Sequence, residues 1–208
     1  MSPRSLTSPF VEQYRCYRTA GKKLNSKIVD AMVSEAVLTT AARDLYLGQD
    51  KRLMFDNESE PDVLMDYALY EILQDGQTLI ERYTIERGGS NRVERDLLEV
   101  MLKAKTGLFR VEQVLASRYQ LNLQEIAGGN RRLSMTDLNF SQFAIDNYVL
   151  FFRPIELPEL TMTSGVAFVF PAKMERELIE HWQQWDRSER YAKYFKLYKS
   201  KGVQVEYR

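Results

Sequence analysis

The spacing of apolar residues changes at Gly107. Before it, apolar positions recur every three to four residues, the period of helices packed by one face. After it they alternate, as in strands with one buried side, until about Pro171. Pro9 opens a first predicted helix through Phe10, Tyr14, Tyr17 and Leu24, with Arg15, Arg18, Lys22 and Lys23 on its outer face. Asn25 or Ser26 is placed to cap a second, whose stripe of Ile28, Met32, Val33, Ala36, Val37, Ala41 and Leu45 stops at Gly48. Ser59-Glu-Pro-Asp62 reads as a third start, with a capping hydroxyl, a first-turn proline and acids at the positive end of the dipole. It leads into Val63, Leu64, Tyr67, Ala68, Tyr70, Ile72 and Leu73. A fourth helix is expected over 77–86, and Asn91-x-x-Glu94 caps a fifth that ends before Gly107.

Five strands are predicted next, over 108–115, 120–125, 131–138, 147–155 and 160–170, with Ala127-Gly-Gly-Asn130 as a tight hairpin turn. Closure removes exposed edges, so the expectation is a small antiparallel five-stranded barrel, SH3-like or OB-like. A closing amphipathic helix is expected from about Ala172 to Lys201, and Val203–Tyr207 as an added edge strand. The fold class is α+β: a helical region over 1–106, a barrel over 107–171, and a C-terminal helix and tail over 172–208 packed on the rest. No long linker separates these parts, which points to a shared core.

Charge changes the picture locally rather than globally. Lys+Arg and Asp+Glu both count 29 in 208 residues, so no overall field gathers polyanions. Eight acids (Asp50, Asp56, Glu58, Glu60, Asp62, Asp66, Glu71, Asp75) stand against Lys51 and Arg52 in the middle, and 186–208 carries seven bases against three acids. Cys16 is the single cysteine, so no intrachain disulfide forms. The opening MSPRSLTSPF has no apolar leader pattern, and the apolar runs reach only five residues, at Tyr148–Phe152 and Val166–Phe170. The expectation is a cytoplasmic protein without membrane association.

Chemistry is sparse. Asp56, Glu58, Glu60 and Asp62 alternate as in a calcium loop, but Pro61 stands where glycine must turn and Tyr67 where a bidentate glutamate belongs, so a solvated helix start is expected. Asp62 with Asp66 and Glu71 with Asp75 read as repelling surface carboxylates. His181 is the single histidine, and no Gly-x-Ser-x-Gly elbow accompanies it. Gly88-Gly89 and Gly128-Gly129 lack the lysine and the strand-to-helix setting of a phosphate loop and are read as turns. No metal or cofactor is called for. The richest segment is the last helix, where Trp182, Trp185, Tyr191, Tyr194, Phe195 and Tyr198 interleave with Lys193, Lys196, Lys199 and Lys201. Tyr191, Tyr194, Phe195 and Tyr198 have the spacing of one buried stripe. The competing reading is a surface on which bases stack while lysines follow phosphates. The barrel adds Arg110, Arg118, Arg131, Arg132 and Arg153. The candidate binding surface is therefore Arg153, Trp182, Trp185, Lys193, Tyr194, Lys196, Tyr198 and Lys199.

The segments Leu64-Met-Asp-Tyr-Ala-Leu-Tyr70, Glu81-Arg-Tyr83, Leu108-Phe-Arg-Val-Glu112 and Met162-Thr-Ser-Gly-Val-Ala167 resemble a group of uncharacterised bacterial proteins. Those have a helical first half and a short β-barrel second half. Some proteins of that layout carry a Cys-rich SEC-C zinc motif, which this chain lacks. The resemblance implies the architecture and a bacterial cytoplasmic setting, and no activity. The functional expectation is a non-catalytic interaction or adaptor protein with a protein partner. A nucleic-acid or ribosome-associated binder is the alternative, and an enzyme comes third.

Overall fold

A computed structural model describes residues 9–49 and 52–203. Helix α1 (Pro9–Met32) runs unbroken through Asn25 and Ser26, because nothing there interrupts the helical stripe. The break falls at Ser34, whose hydroxyl accepts from the Val37 amide and caps α2 (Glu35–Asp44). A short ladder, β1 (Gly48–Gln49) with β2 (Arg52–Leu53), leads to α3 (Glu60–Tyr70). Ser59 does not cap α3; its hydroxyl turns back to Asn57 instead. A second ladder, β3 (Leu73–Gln74) with β4 (Gln77–Thr78), ends in a capping box the sequence reading missed. There Thr78 accepts from the Glu81 amide and the Glu81 carboxylate takes the Thr78 amide, starting α4 (Leu79–Glu86). Helix α5 (Arg92–Lys103) is capped by Asn91 as expected.

The barrel strands are β5 (Gly107–Leu115), β6 (Gln120–Ala127), β7 (Arg132–Thr136), β8 (Val149–Glu156) and β9 (Thr161–Phe170), in the closed order β5-β6-β7-β9-β8. The expected all-antiparallel barrel is corrected here: β7 and β9 run parallel, through Met135 and Thr161. Closure itself requires this. Directions must alternate around an antiparallel ring, and five strands cannot alternate without one mismatch. The connection 137–148 carries β8 back beside β5, so β9 is the strand that meets β7. This out-of-sequence order is a Greek-key closure of the OB-like kind rather than an SH3-like meander.

Two cores result. Phe109, Val111, Leu121, Leu123, Met135, Leu150, Phe152 and Val169 fill the barrel. The opposite faces of β8 and β9, with Phe151, Ile155, Met162, Phe168 and Phe170, join the buried residues of the helices in a second, larger cluster. Strand β8 is therefore buried on both sides from Val149 to Ile155, which accounts for its nearly continuous apolar run.

The chain closes with two helices rather than one, α6 (Glu175–Gln184) and α7 (Arg187–Lys201), with Asp186 capping the second through the Ser188 amide. Trp182 and Trp185 thus belong to a different element from Tyr191–Tyr198. Val203 donates its amide to Val169, while the rest of the expected edge strand lies outside the described residues. Among the described residues no helix is long and apolar enough to cross a membrane.

Candidate functional site

The aromatic stripe of α7 is packing. Tyr191, Tyr194 and Phe195 are buried, and Tyr198 is half-buried. Tyr194 stacks on Phe151 at 4.5 Å between ring centroids and donates its hydroxyl to the Leu178 carbonyl at 2.7 Å. Tyr198 stacks on Phe168 at 5.3 Å. Tyr194 is consequently removed from any binding surface. Its phenol is pushed well above the ordinary tyrosine range by burial.

The lysines of α7 are occupied. Lys193 meets Glu189 at 2.8 Å, Lys201 meets Glu177 at 2.6 Å, and Lys196 sits over the Tyr46 ring at 4.7 Å. Lys199 joins α7 to the start of α3, at 2.6 Å from Asp56 and 2.8 Å from the fully buried Glu60. Burial opposes the ammonium charge of Lys199, but these two carboxylates outweigh it and hold its pKa above the ordinary lysine value. Glu60 also accepts from the Asp56 amide at 2.7 Å. The acidic run expected to be a solvated helix start is, at Glu60, a buried ion pair.

The barrel arginines are mostly engaged as well. Arg110 pairs with Glu175, Arg131 with Glu125 and Glu156, and Arg132 with Glu112. Arg153 is only 4% exposed, so it is no surface residue. It lies on the helix-facing side of β8 over the Tyr70 ring, 4.0 Å from the centroid. One terminal nitrogen donates to Glu71 and lies 3.8 Å from Asp66, and the other donates to the Ala104 carbonyl at 3.3 Å. Its Nε is buried with no partner. One member of each carboxylate pair expected to repel at the surface is here, Asp66 buried and Glu71 nearly so, while Asp62 and Asp75 are exposed as expected. Burial raises the Glu71 pKa, against the lowering effect of Arg153.

Arg153 and Trp182 are brought together at a cleft of about 570 Å³, bounded by the ends of α3 and α5, the β6–β7 turn, and α6 with α7. Three cations that sequence reasoning did not single out also line it: Lys105, Arg187 and Arg190. None of the three has an ion-pair partner among the described residues. The Arg190 guanidinium stacks on Trp182 at 4.3 Å, and its Nε is buried and unpartnered. Gly128, at φ +84°, lets the indole edge approach the turn; a Cβ there would meet it at 3.3 Å. The cleft acids are committed elsewhere: Glu71 to Arg153, Glu81 to the α4 cap, Glu125 and Glu156 to Arg131. Asp66, Tyr70 and Met101 line a second cleft of about 550 Å³ between α1, α3 and β9, so the Arg153–Asp66 pair forms part of the wall between the two.

Trp185 and His181 stack on each other at 4.2 Å, with Glu177 3.5 Å from the imidazole Nε2. Among the described residues no group of three or more His, Cys, Asp or Glu is arranged to hold a metal. Away from the clefts, Tyr46, Leu53, Met54 and Phe55 are exposed around the β1–β2 ladder, at 69%, 45%, 55% and 40%. They are neighbours, because the Met54 amide donates to Leu47 and Leu53 pairs with Gly48.

These features define an α+β protein built on a closed, mixed five-stranded barrel with a helical cover. The chain belongs to a family of unknown function, DUF7986, whose model matches residues 9–208. No curated protein and no solved structure matches it.

Proposed function

We propose that this is a non-catalytic, cytoplasmic interaction protein that docks another protein through the apolar surface around the β1–β2 ladder. The observation that carries this reading is the exposure of Tyr46, Leu53, Met54 and Phe55 on adjoining backbone at the β1–β2 ladder. Single exposed apolar residues are ordinary on protein surfaces, whereas a contiguous group marks a contact site. Glu58, exposed three residues beyond Phe55 and outside any ion pair among the described residues, borders the group, so the partner segment it suits is apolar with a flanking basic residue. The nucleic-acid reading draws less support, because the lysines of α7 and four of the five barrel arginines already have partners.

The test compares co-purification from nuclease-treated lysate by the natural chain and by a Leu53→Ser/Met54→Ser/Phe55→Ser variant. A protein retained by the first and lost by the second supports docking at this surface. Partners that disappear with nuclease, or that the triple variant retains, overturn it. The three substitutions are at exposed positions and should change stability by about 0.5 kcal/mol or less each.

A further inference from the structure

Buried donors without acceptors are rare in folded proteins, and each one forfeits a hydrogen bond that water supplied in the unfolded chain. Two of them, Arg153 Nε and Arg190 Nε, belong to residues lining the same cleft. Both guanidinium groups lie on aromatic rings, Tyr70 and Trp182. Stacking fixes a guanidinium in place without consuming its N–H donors. Lys105 and Arg187 add two exposed cations outside ion-pair distance of any carboxylate among the described residues, although the charge of Arg187 is felt by Glu71, and each acid of the cleft has a closer partner. A guanidinium fixed by ring stacking and outside any ion pair, as at Arg190, next to exposed cations is an arrangement that recognises phosphate oxygens.

We propose that this cleft is an oxyanion site that takes a small phosphorylated molecule. Arg190 supplies the fixed guanidinium, Lys105 and Arg187 add charge from the rim, and Arg153, held by Glu71 and Asp66, lies behind them in the cleft wall. The cavity volume of about 570 Å³ is well beyond what a bare phosphate fills and suits a small organic phosphate. This site is separate from the apolar docking surface and stands or falls independently of it.

The chain contains two tryptophans, Trp182 and Trp185, so a Trp185→Phe variant leaves Trp182 as the sole indole reporter beside Arg190. Its fluorescence is titrated with inorganic phosphate, pyrophosphate, a nucleoside monophosphate and a single-stranded oligonucleotide, at constant ionic strength set with chloride. Calorimetric titration of the natural chain with the same probes runs in parallel. The expected result is saturable binding of at least one of the three small phosphates, and a rise in melting temperature of the natural chain with that probe. An Arg187→Gln/Lys105→Gln variant, changed only at exposed positions, should keep its unliganded melting temperature and bind about tenfold or more weakly. No saturable small-phosphate binding up to about 10 mM, weaker than specific sites ordinarily are, overturns the proposal. So does binding that the double variant leaves unchanged. Oligonucleotide affinity that grows with strand length and exceeds that of the monophosphate replaces the small molecule with a nucleic acid, and equally overturns it.

Discussion

The two ends of α7 carry similar numbers of cations and treat them in opposite ways. At the C-terminal end, Lys199 and Lys201 are bound to Asp56, Glu60 and Glu177. At the N-terminal end, Arg187 and Arg190 have no ion-pair partner and face a cleft. The sequence shows a basic tail and an acidic middle as two separate asymmetries, each inviting an external partner of opposite sign. In the fold the tail answers the middle through Lys199 with Asp56 and Glu60, and the barrel answers it through Arg153 with Asp66 and Glu71. The density of lysine along a helix is thus a poor guide to where charge is available. What matters is which cations remain outside ion pairs where they face that cleft, and here those are Lys105, Arg187 and Arg190.

The sharpest way to break this comparison is to remove an internally answered cation and watch stability rather than binding. Arg153→Met leaves Asp66 and Glu71 without their cation in the wall between the two clefts. Removing one partner of a buried pair ordinarily costs about 3–5 kcal/mol. Urea denaturation should show a loss of that order, against about 0.5 kcal/mol or less for Arg187→Gln. Equal effects at the two positions would mean that the N-terminal cations are structural too, and the contrast would collapse.

Lys199 is the intermediate case, with its side chain 31% exposed but its partner Glu60 fully buried. Lys199→Met retains the packing of the stem and removes the charge, leaving Glu60 with the Asp56 amide alone. A loss of about 2 kcal/mol is expected, because the buried carboxylate keeps one hydrogen bond and some solvent reaches the lysine side. Lys196→Met, one turn away over an exposed Tyr46, should change stability by about 0.5 kcal/mol or less. A small effect at Lys199 would show that the acidic run is neutralised by something other than α7.

These contrasts also mark where sequence reasoning stops. Periodicity found the strands of the barrel within a few residues and placed five helices before it, because one-sided burial imposes a period of two or 3.6. It misplaced the break in the first helical hairpin, since Asn25 and Ser26 are competent caps and only the position of Ser34 against α2 decides which residue is used. It missed the break at Asp186 because the aromatic pattern continues across it. It read Glu60 and Asp66 as solvated because their burial depends on Lys199 and Arg153, more than eighty residues away in sequence. Arg153 could have been suspected: a lone charge inside Leu150-Phe-Phe-Arg-Pro154 must be paired when both faces of the strand are covered. Lys105, Arg187 and Arg190 had no such signal, being ordinary surface bases until three elements converge.

Among the ion pairs, the smallest expected effect belongs to one whose cation is nearly half exposed. Glu94 accepts from Lys27 at 2.6 Å and from the Ser90 hydroxyl and amide at 2.6 and 3.0 Å, tying α5 to α1. The Lys27 and Ser90 hydrogen bonds lower its pKa to about 2, from an ordinary 4.5. A carboxylate with a depressed folded pKa contributes stability above its unfolded value and loses it as pH falls. The window is therefore from about pH 4.5 down to about 2. Lys27 is 47% exposed, so screening reduces the contribution well below the full linkage value, to about 1 kcal/mol. Stability measured across that window should fall less steeply in Glu94→Gln than in the natural chain, and the two should converge near pH 2. Parallel curves would mean that the exposed lysine contributes nothing measurable, placing Lys27 with the unanswered cations of the cleft rather than with Lys199, and moving the boundary between the two kinds of charge toward the protein's interior.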